Sequence, residues 1–208
     1  SILALCGALA APALAGHLWT DDAVIDETTK PLEIGATVPE TIRLSDFEGK
    51  PTSFKDLRGK IVLVHFWSDR CPAEKHADPV FQQMEKELAD SKDVVLLGIA
   101  SNQNELGPKP AEGDDYAEFY TSLRTKRDKV GHKHTILADH GNVVSDLFGA
   151  RSTPHCFVID AKGVLQYSGA LDDDPAGKKG EAATNYPLEA AAALQAGKKP
   201  EVSSTKPY

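Results

Sequence analysis

Cysteine is scarce in this 208-residue chain, which contains only Cys6, Cys71 and Cys156. Cys6 lies in the Ala- and Leu-rich beginning of the sequence, so two cysteines remain for the rest of the chain. Because these two lie far apart in the sequence, they do not form the spacing pattern of a disulfide framework. The sequence therefore predicts a fold that does not depend on a disulfide framework.

Long apolar runs and an excess of positive charge are also missing. No run of 18 apolar residues occurs, so no segment is predicted to span a membrane. The formal net charge is -8, which argues against nucleic acid as a partner. The chain is 41% hydrophobic and 26% charged, as is typical of globular proteins, and it is long enough for one domain with a full core.

The two ends of the chain differ in composition from its middle. Residues 1–15 are apolar and end in Ala-Leu-Ala before a glycine, which predicts a secretory signal peptide and a periplasmic or other extracytoplasmic location. The alternative is a helix of the mature fold. The polar residues 16–33 are predicted to be a linker, residues 34–198 the folded domain, and residues 199–208 a C-terminal tail.

Strand and helix patterns alternate through the domain. Residues 34–60 alternate apolar and polar positions around a Gly-Lys-Pro turn and predict a β-hairpin. The β-branched and aromatic run 61–67 predicts a buried central strand, and residues 93–101 predict a second one. Residues 102–114 form a polar stretch, residues 116–127 predict a helix, and later strands, helices and a final hairpin complete an α/β pattern. This order predicts a mixed central sheet with helices on both faces.

Cys71 follows the predicted strand 61–67 and opens the sequence Cys-Pro-Ala-Glu at an expected helix start. Unpaired N–H groups and the helix dipole stabilise a thiolate at such a position. Pro72 suits the first helical residue, and Arg70 adds positive charge nearby. The pattern predicts a reactive thiolate at Cys71, and the alternative is an inert thiol.

Four stretches of the chain resemble the thioredoxin-like superfamily, in the exported TlpA-type and AhpC/TSA (redoxin) branch. They are the hairpin and first core strand (44–68), the Cys-Pro-x-Glu motif, the stretch 148–169 around Ser-Thr-Pro-His, and the acidic turn with the terminal helix. The resemblance covers residues 34–200. It implies a thioredoxin-like fold with a mixed central sheet, helices on both faces and an N-terminal β-hairpin. It also points to a subgroup with Glu74 in place of the second cysteine.

The resemblance implies roles for several residues. Pro154 matches the family's cis-proline, whose loop lies beside the active cysteine, and the backbone of Thr153 would pair with substrate peptide. Arg151 would bind a substrate carboxylate or the thiolate, or be an ordinary surface residue. Cys71 and Glu74 are the catalytic candidates. The predicted substrate-binding residues are Trp67, Ser68, Arg70, Pro72, Arg151, Thr153 and Pro154.

Two residues near the motif can be interpreted in more than one way. Glu74 lies where a capping-box side chain returns to the backbone of Cys71, and it also lies where a carboxyl group could exchange protons with a thiol. Cys156 begins a predicted strand, which favours a small core residue. It could instead be a second thiol that partners Cys71, which requires close approach of the two backbones.

The histidines give little indication of a metal site. His76 and His155 could reach the cysteine loop, but the second cysteine of a thioredoxin-like copper carrier is missing. His132, His134 and His140 are expected at the surface. We therefore expect neither a metal nor an organic cofactor.

The sequence predicts a thiol-based oxidoreductase with an antioxidant role, in which Cys71 attacks a disulfide or a peroxide. Its partner would be a protein or small-molecule disulfide or thiol, or a peroxide.

Cys-Pro-x-Glu preceded by Ser68 favours a peroxiredoxin-like peroxidase, whereas Val64 stands where peroxiredoxins have proline. A non-catalytic binding module and a metal carrier are two further functions compatible with the fold. The substrate, the reductant and the oligomeric state are left open.

Overall fold

A seven-stranded mixed sheet forms the centre of the fold in the computed structural model, which describes residues 30–208. The predicted signal peptide 1–15 and most of the predicted linker 16–33 lie outside the described residues. The strands are β1 (Arg43–Asp46), β2 (Pro51–Ser53), β3 (Ile61–Trp67), β4 (Val94–Ala100), β5 (Thr135–Ala138), β6 (His155–Ile159) and β7 (Leu165–Gly169). Their order across the sheet is β2-β1-β5-β4-β3-β6-β7.

The central strands run parallel and the outer strands run antiparallel. β3 pairs with β4, and β4 with β5, in parallel register, while β6 runs antiparallel to β3 and β7 antiparallel to β6. Parallel strands are covered on both faces, which explains the continuous apolar run that forms β3. The predicted mixed sheet and the N-terminal hairpin of β1 and β2 are both confirmed.

Helices cover both faces of the sheet, as predicted. The helices are α1 (Glu74–Leu88), α2 (Gln103–Leu106), α3 (Thr121–Val130), α4 (Val143–Phe148) and α5 (Tyr186–Gln195), with short 3-10 turns at Tyr116–Glu118, His140–Asn142 and Gly180–Ala182. Val62, Val64 and Phe66 of β3 pack in one hydrophobic cluster with α4. Ile61 and Leu63 pack in a second cluster with α1 and α5. Alternation along β3 therefore divides the core into two layers.

Three local predictions differ from the structure. The helix expected across residues 116–127 is interrupted, because Tyr120 adopts a left-handed conformation (φ 54°) between a 3-10 turn and α3. The polar stretch after β4 contains α2, whose first turn is capped by the side chain of Asn102. The helix expected to begin at Pro72 begins at Glu74, after a turn in which the Glu74 N–H donates to the carbonyl of Cys71.

The last residues of the chain pack beside β7. Thr205 Oγ1 lies 2.8 Å from the amide nitrogen of Ala170 and 2.7 Å from the hydroxyl of Tyr167. The Tyr208 hydroxyl donates to Asp172 at 2.8 Å. These contacts fix the end of the chain against the domain. Among residues 30–208, no helix has the length and hydrophobicity needed to cross a membrane.

Candidate functional site

Cys71 lies where the central strand β3 meets the loop that precedes β6. Its half-buried thiol donates a hydrogen bond to the carbonyl oxygen of Thr153 at 3.0 Å. The Thr153–Pro154 peptide bond is cis. Because Phe66 pairs with His155 in antiparallel register, the end of β3 and the start of β6 are neighbours in the sheet. This pairing brings together two segments that are far apart in the sequence.

A buried glutamate on α2 holds the cysteine loop in place. Glu105 accepts hydrogen bonds from the Ser68 hydroxyl at 2.6 Å, the Asp69 amide at 2.9 Å and the Asn102 side chain at 2.9 Å. Sequence reasoning missed Glu105, because one acid within a polar stretch carries no pattern that predicts burial. Ser68, which was predicted to bind substrate, is buried and supports the loop through Glu105.

Glu74 is fully buried behind the cysteine loop. Its Oε1 accepts a hydrogen bond from the Ser68 amide at 3.4 Å, and its Oε2 has no hydrogen-bond partner among residues 30–208. The capping-box interpretation is therefore wrong, since the carboxyl group turns to Ser68 and not to Cys71. Burial raises the pKa of Glu74 to about 8, with a further increase from the negative charge of Asp78. Glu74 is thus a neutral carboxylic acid at pH 7.

The other predicted substrate-binding residues divide into a buried set and an exposed set. Trp67 is fully buried, so it supports β3 from within and has no surface to offer a ligand. Pro72 and Arg151 are exposed on the two segments that meet at Cys71. The side chain of Arg70 is 67% exposed, with its Nε 3.5 Å from Asp69. Arg70 is thus paired with Asp69, and Arg151 adds an exposed cation on the adjoining loop.

Cys156 lies on β6, opposite His65 of β3, and is fully buried. Both Cys71 and Cys156 are free cysteines. Burial raises the pKa of the Cys156 thiol well above its ordinary value, and the nearby carboxyl groups of Glu74 and Asp172 raise it further. These properties favour the interpretation of Cys156 as a core residue.

His76 and His155 have partners of their own. His76 Nε2 lies 2.9 Å from Asp172, and His155 Nε2 lies 3.2 Å from the Ser168 hydroxyl. Burial lowers the pKa of His155 to about 4, and the positive charge of Arg151 lowers it further. Within residues 30–208, neither histidine joins Cys71 in a cluster that could hold a metal.

Comparison with known proteins agrees with this geometry. The AhpC/TSA family model matches residues 34–168. The thioredoxin-like protein YneN of Bacillus subtilis is 26% identical over 135 residues, which are 65% of this chain and 70% of YneN. The thiol-disulfide oxidoreductase ResA of Bacillus thuringiensis subsp. konkukian is 24% identical over 163 residues, 78% of this chain and 79% of ResA. The chloroplastic peroxiredoxin Q of Triticum aestivum is 31% identical over 140 residues, 63% of this chain and 56% of that protein.

Solved structures show the same fold. An uncharacterized conserved protein from Geobacillus kaustophilus superposes with a TM-score of 0.70 at 20% identity, covering 84% of this chain and 88% of that one. A putative thiol:disulfide interchange protein DsbE from Chlorobium tepidum superposes with a TM-score of 0.52 at 19% identity, covering 66% and 84%. Since the family match covers more than half of the sequence and the thioredoxin-like fold agrees with it, this chain belongs to the AhpC/TSA family.

Proposed function

We propose that this protein is a thiol–disulfide oxidoreductase in which Cys71 is the one reacting thiol. The observation that carries the proposal is the position of its sulfur, half-exposed and 3.0 Å from the Thr153 carbonyl, beside the loop that contains Pro154. Relatives named as thiol-disulfide oxidoreductases support the reaction class. The exposed Arg151 on the same loop supports a thiolate here, because a nearby cation stabilises the anion.

The reaction begins when the Cys71 thiolate attacks one sulfur of a substrate disulfide. A bond forms between Cys71 and that sulfur, and the substrate's other sulfur leaves as a thiolate. Glu74 occupies the place of a second cysteine and Cys156 is buried, so neither side chain resolves the mixed disulfide. A thiol from outside the protein then attacks the substrate sulfur. Cys71 is released as a thiolate, and the outside thiol becomes part of the new disulfide.

Glu74 keeps the interior behind the cysteine loop uncharged in this proposal. With its pKa raised to about 8, the carboxyl group is protonated at pH 7 and adds no negative charge beneath the thiolate.

An open groove of mixed polarity beside Thr153 supports a polypeptide substrate. Its polar lining includes Asn102, Asn142, Ser145 and Ser152. Amide and hydroxyl side chains of this kind can pair with the backbone of an extended segment. Arg151 is exposed on the same loop, where it would bind a carboxylate of the substrate.

The test uses Cys156→Ser protein, in which Cys71 is the only thiol of residues 30–208. The protein is mixed separately with glutathione disulfide and hydrogen peroxide, and the products are followed by intact mass. We expect one glutathione to add at Cys71 and to leave when reduced glutathione is supplied. The Cys71→Ser/Cys156→Ser protein is the matched control; any glutathione that it gains marks Cys6, and the difference between the two proteins reports Cys71.

Peroxidase activity is the second candidate, and the match to peroxiredoxin Q favours it. In that reaction the Cys71 thiolate attacks a peroxide oxygen, giving a sulfenic acid and releasing water or an alcohol. Faster oxidation by peroxide than by glutathione disulfide would replace the first proposal with this one. Failure to react with either reagent would indicate a binding module.

We also propose an extracytoplasmic location, which rests on the apolar pattern of residues 1–15. Because those residues lie outside the described part of the chain, the support comes from the sequence alone. Fractionation of cells that express the chain with its native N-terminal segment tests the proposal. The protein should be recovered outside the cytoplasm, and recovery with the cytoplasmic proteins would contradict it.

A further inference from the structure

Three histidines and two acids from separate elements meet on the α1 side of the sheet. His65 comes from β3, His132 and His134 from the segment before β5, and Asp78 and Glu85 from α1. The sequence-based expectation that His132 and His134 are surface residues is wrong. Their side chains are 0% and 3% exposed, because α1 covers them.

One ligand atom from each of Glu85, His132 and His134 lies within 4.8 Å of the other two. The Nδ1 atom of His132 is 3.5 Å from Oε1 of Glu85, and Nδ1 of His134 contacts the same oxygen. In a tetrahedral zinc site with metal–ligand distances near 2.0–2.1 Å, adjacent ligand atoms lie about 3.3 Å apart. Small side-chain adjustments would bring the three atoms to that spacing.

The outer contacts of the imidazoles fit metal ligands. His132 Nε2 lies 3.1 Å from Asp78, whose other oxygen lies 2.6 Å from Lys126 Nζ. A proton on Nε2 leaves the lone pair of His132 Nδ1 facing Glu85, as in carboxylate–histidine–zinc arrangements. His134 Nε2 lies 2.8 Å from Nε2 of His65, so the outer nitrogen of His134 is also hydrogen-bonded.

An unpartnered nitrogen gives an independent indication of a ligand. The Nδ1 atom of His132 is buried and has no hydrogen-bond partner in the described part of the chain, although it points towards Glu85. An unpaired buried polar atom costs about 1–3 kcal/mol. A cation bound between His132 Nδ1 and Glu85 would give that nitrogen a partner and remove the cost.

We propose that Glu85, His132 and His134 form a Zn²⁺ site, with the fourth position open to water. Two imidazoles and one carboxylate suit zinc, and the absence of a thiolate from this set disfavours a soft ion such as Cu(I). Magnesium and calcium prefer sites made of oxygen atoms. The site joins α1 to the segment before β5, so the metal would stabilise the fold, and the proposal is independent of the reaction at Cys71.

A depression in the surface gives the ion a route to the site. His132 and His134 are among the residues that line it, together with acidic and basic side chains that include Asp46, Arg127 and Lys133.

The experiment uses the untagged Cys71→Ser/Cys156→Ser protein, so that thiols of the domain cannot contribute ligands. The protein is treated with a chelator, dialysed, and titrated with Zn²⁺ alone in a calorimeter. We expect one zinc per chain and a higher melting temperature with zinc. Glu85→Gln should weaken binding at least tenfold, while Glu87→Gln, an exposed change on the same helix, should leave it unchanged.

Two results would overturn the proposal. One is less than one equivalent of bound zinc at millimolar metal. The other is equal affinity in the parent, the Glu85→Gln and the Glu87→Gln proteins, which would indicate adventitious binding elsewhere. If Glu85→Gln fails to fold, Co²⁺ added to the parent double-serine protein decides the question. Intense visible bands of four-coordinate cobalt support the site, and the weak spectrum of hydrated cobalt contradicts it.

Discussion

Replacement of Glu74 by glutamine is expected to remove much of the pH dependence of stability between pH 5 and 8. The pKa of this buried carboxyl group rises from its ordinary 4.5 to about 8 on folding. Between these values the folded protein retains a proton that the unfolded chain has lost. The stabilisation is therefore complete below pH 4.5 and is lost as the pH rises through 8. Glutamine has no proton to lose in this range.

The size of the effect follows from the two pKa values. Each pH unit between 4.5 and 8 contributes up to about 1.4 kcal/mol, so the full range corresponds to at most about 5 kcal/mol. We expect about 2–5 kcal/mol, because local relaxation lets water reach a buried charge. The glutamine amide also lies where Oε2 of Glu74 has no hydrogen-bond partner. This lowers the free energy of unfolding equally at every pH. The slope against pH is therefore the informative quantity.

Urea unfolding at intervals from pH 5 to pH 9 measures this slope. The free energy of unfolding of the wild-type protein should fall with pH more steeply than that of Glu74→Gln. Glu112→Gln, a change at an exposed position, serves as the control and should follow the wild-type curve. Parallel wild-type and Glu74→Gln curves would show that Glu74 is ionised in the folded protein, and would contradict the proposed neutral carboxyl group.

Three further substitutions test the packing around the site. Glu105→Gln should lower the free energy of unfolding by about 1–3 kcal/mol and speed amide exchange in the cysteine loop, because charge-assisted bonds to Ser68 and its neighbours are weakened. Thr205→Val should lower it by about 1–3 kcal/mol in urea unfolding, because Tyr167 loses a hydrogen bond. Gly98→Ala should lower the melting temperature, since its new Cβ would lie 3.0–3.3 Å from three buried side-chain atoms. Unchanged stability in any of the three would contradict the contacts described here.

The fold was largely predictable because its signals are local. The apolar run of β3, the turn between β1 and β2, and the helical spacing in α1 each follow from a few adjacent residues. The break at Tyr120 was not predictable, because its left-handed backbone depends on tertiary contacts and not on residue type.

The site was predictable only where the family resemblance supplied long-range information. Cys71 was placed by the motif, and its contact with Thr153 follows from strand pairing across the sheet. Glu105 and the cluster around His132 were missed, since burial of polar residues depends on partners that are distant in the sequence. An acid or a histidine in a polar stretch is usually exposed, so residue type alone predicts exposure for residues that are in fact buried.

The reactivity of Cys71 in the folded protein tests the proposed redox function most directly. The Cys156→Ser protein is labelled with iodoacetamide at pH 7, once folded in buffer and once unfolded in urea, and the labelling rate of the peptide that contains Cys71 is measured by mass in each state. We predict that folded Cys71 reacts faster than the same cysteine in the unfolded chain, because the exposed Arg151 on the adjoining loop stabilises the thiolate. A folded rate below the unfolded rate would show that Cys71 is an inert thiol, and would contradict the proposed redox function.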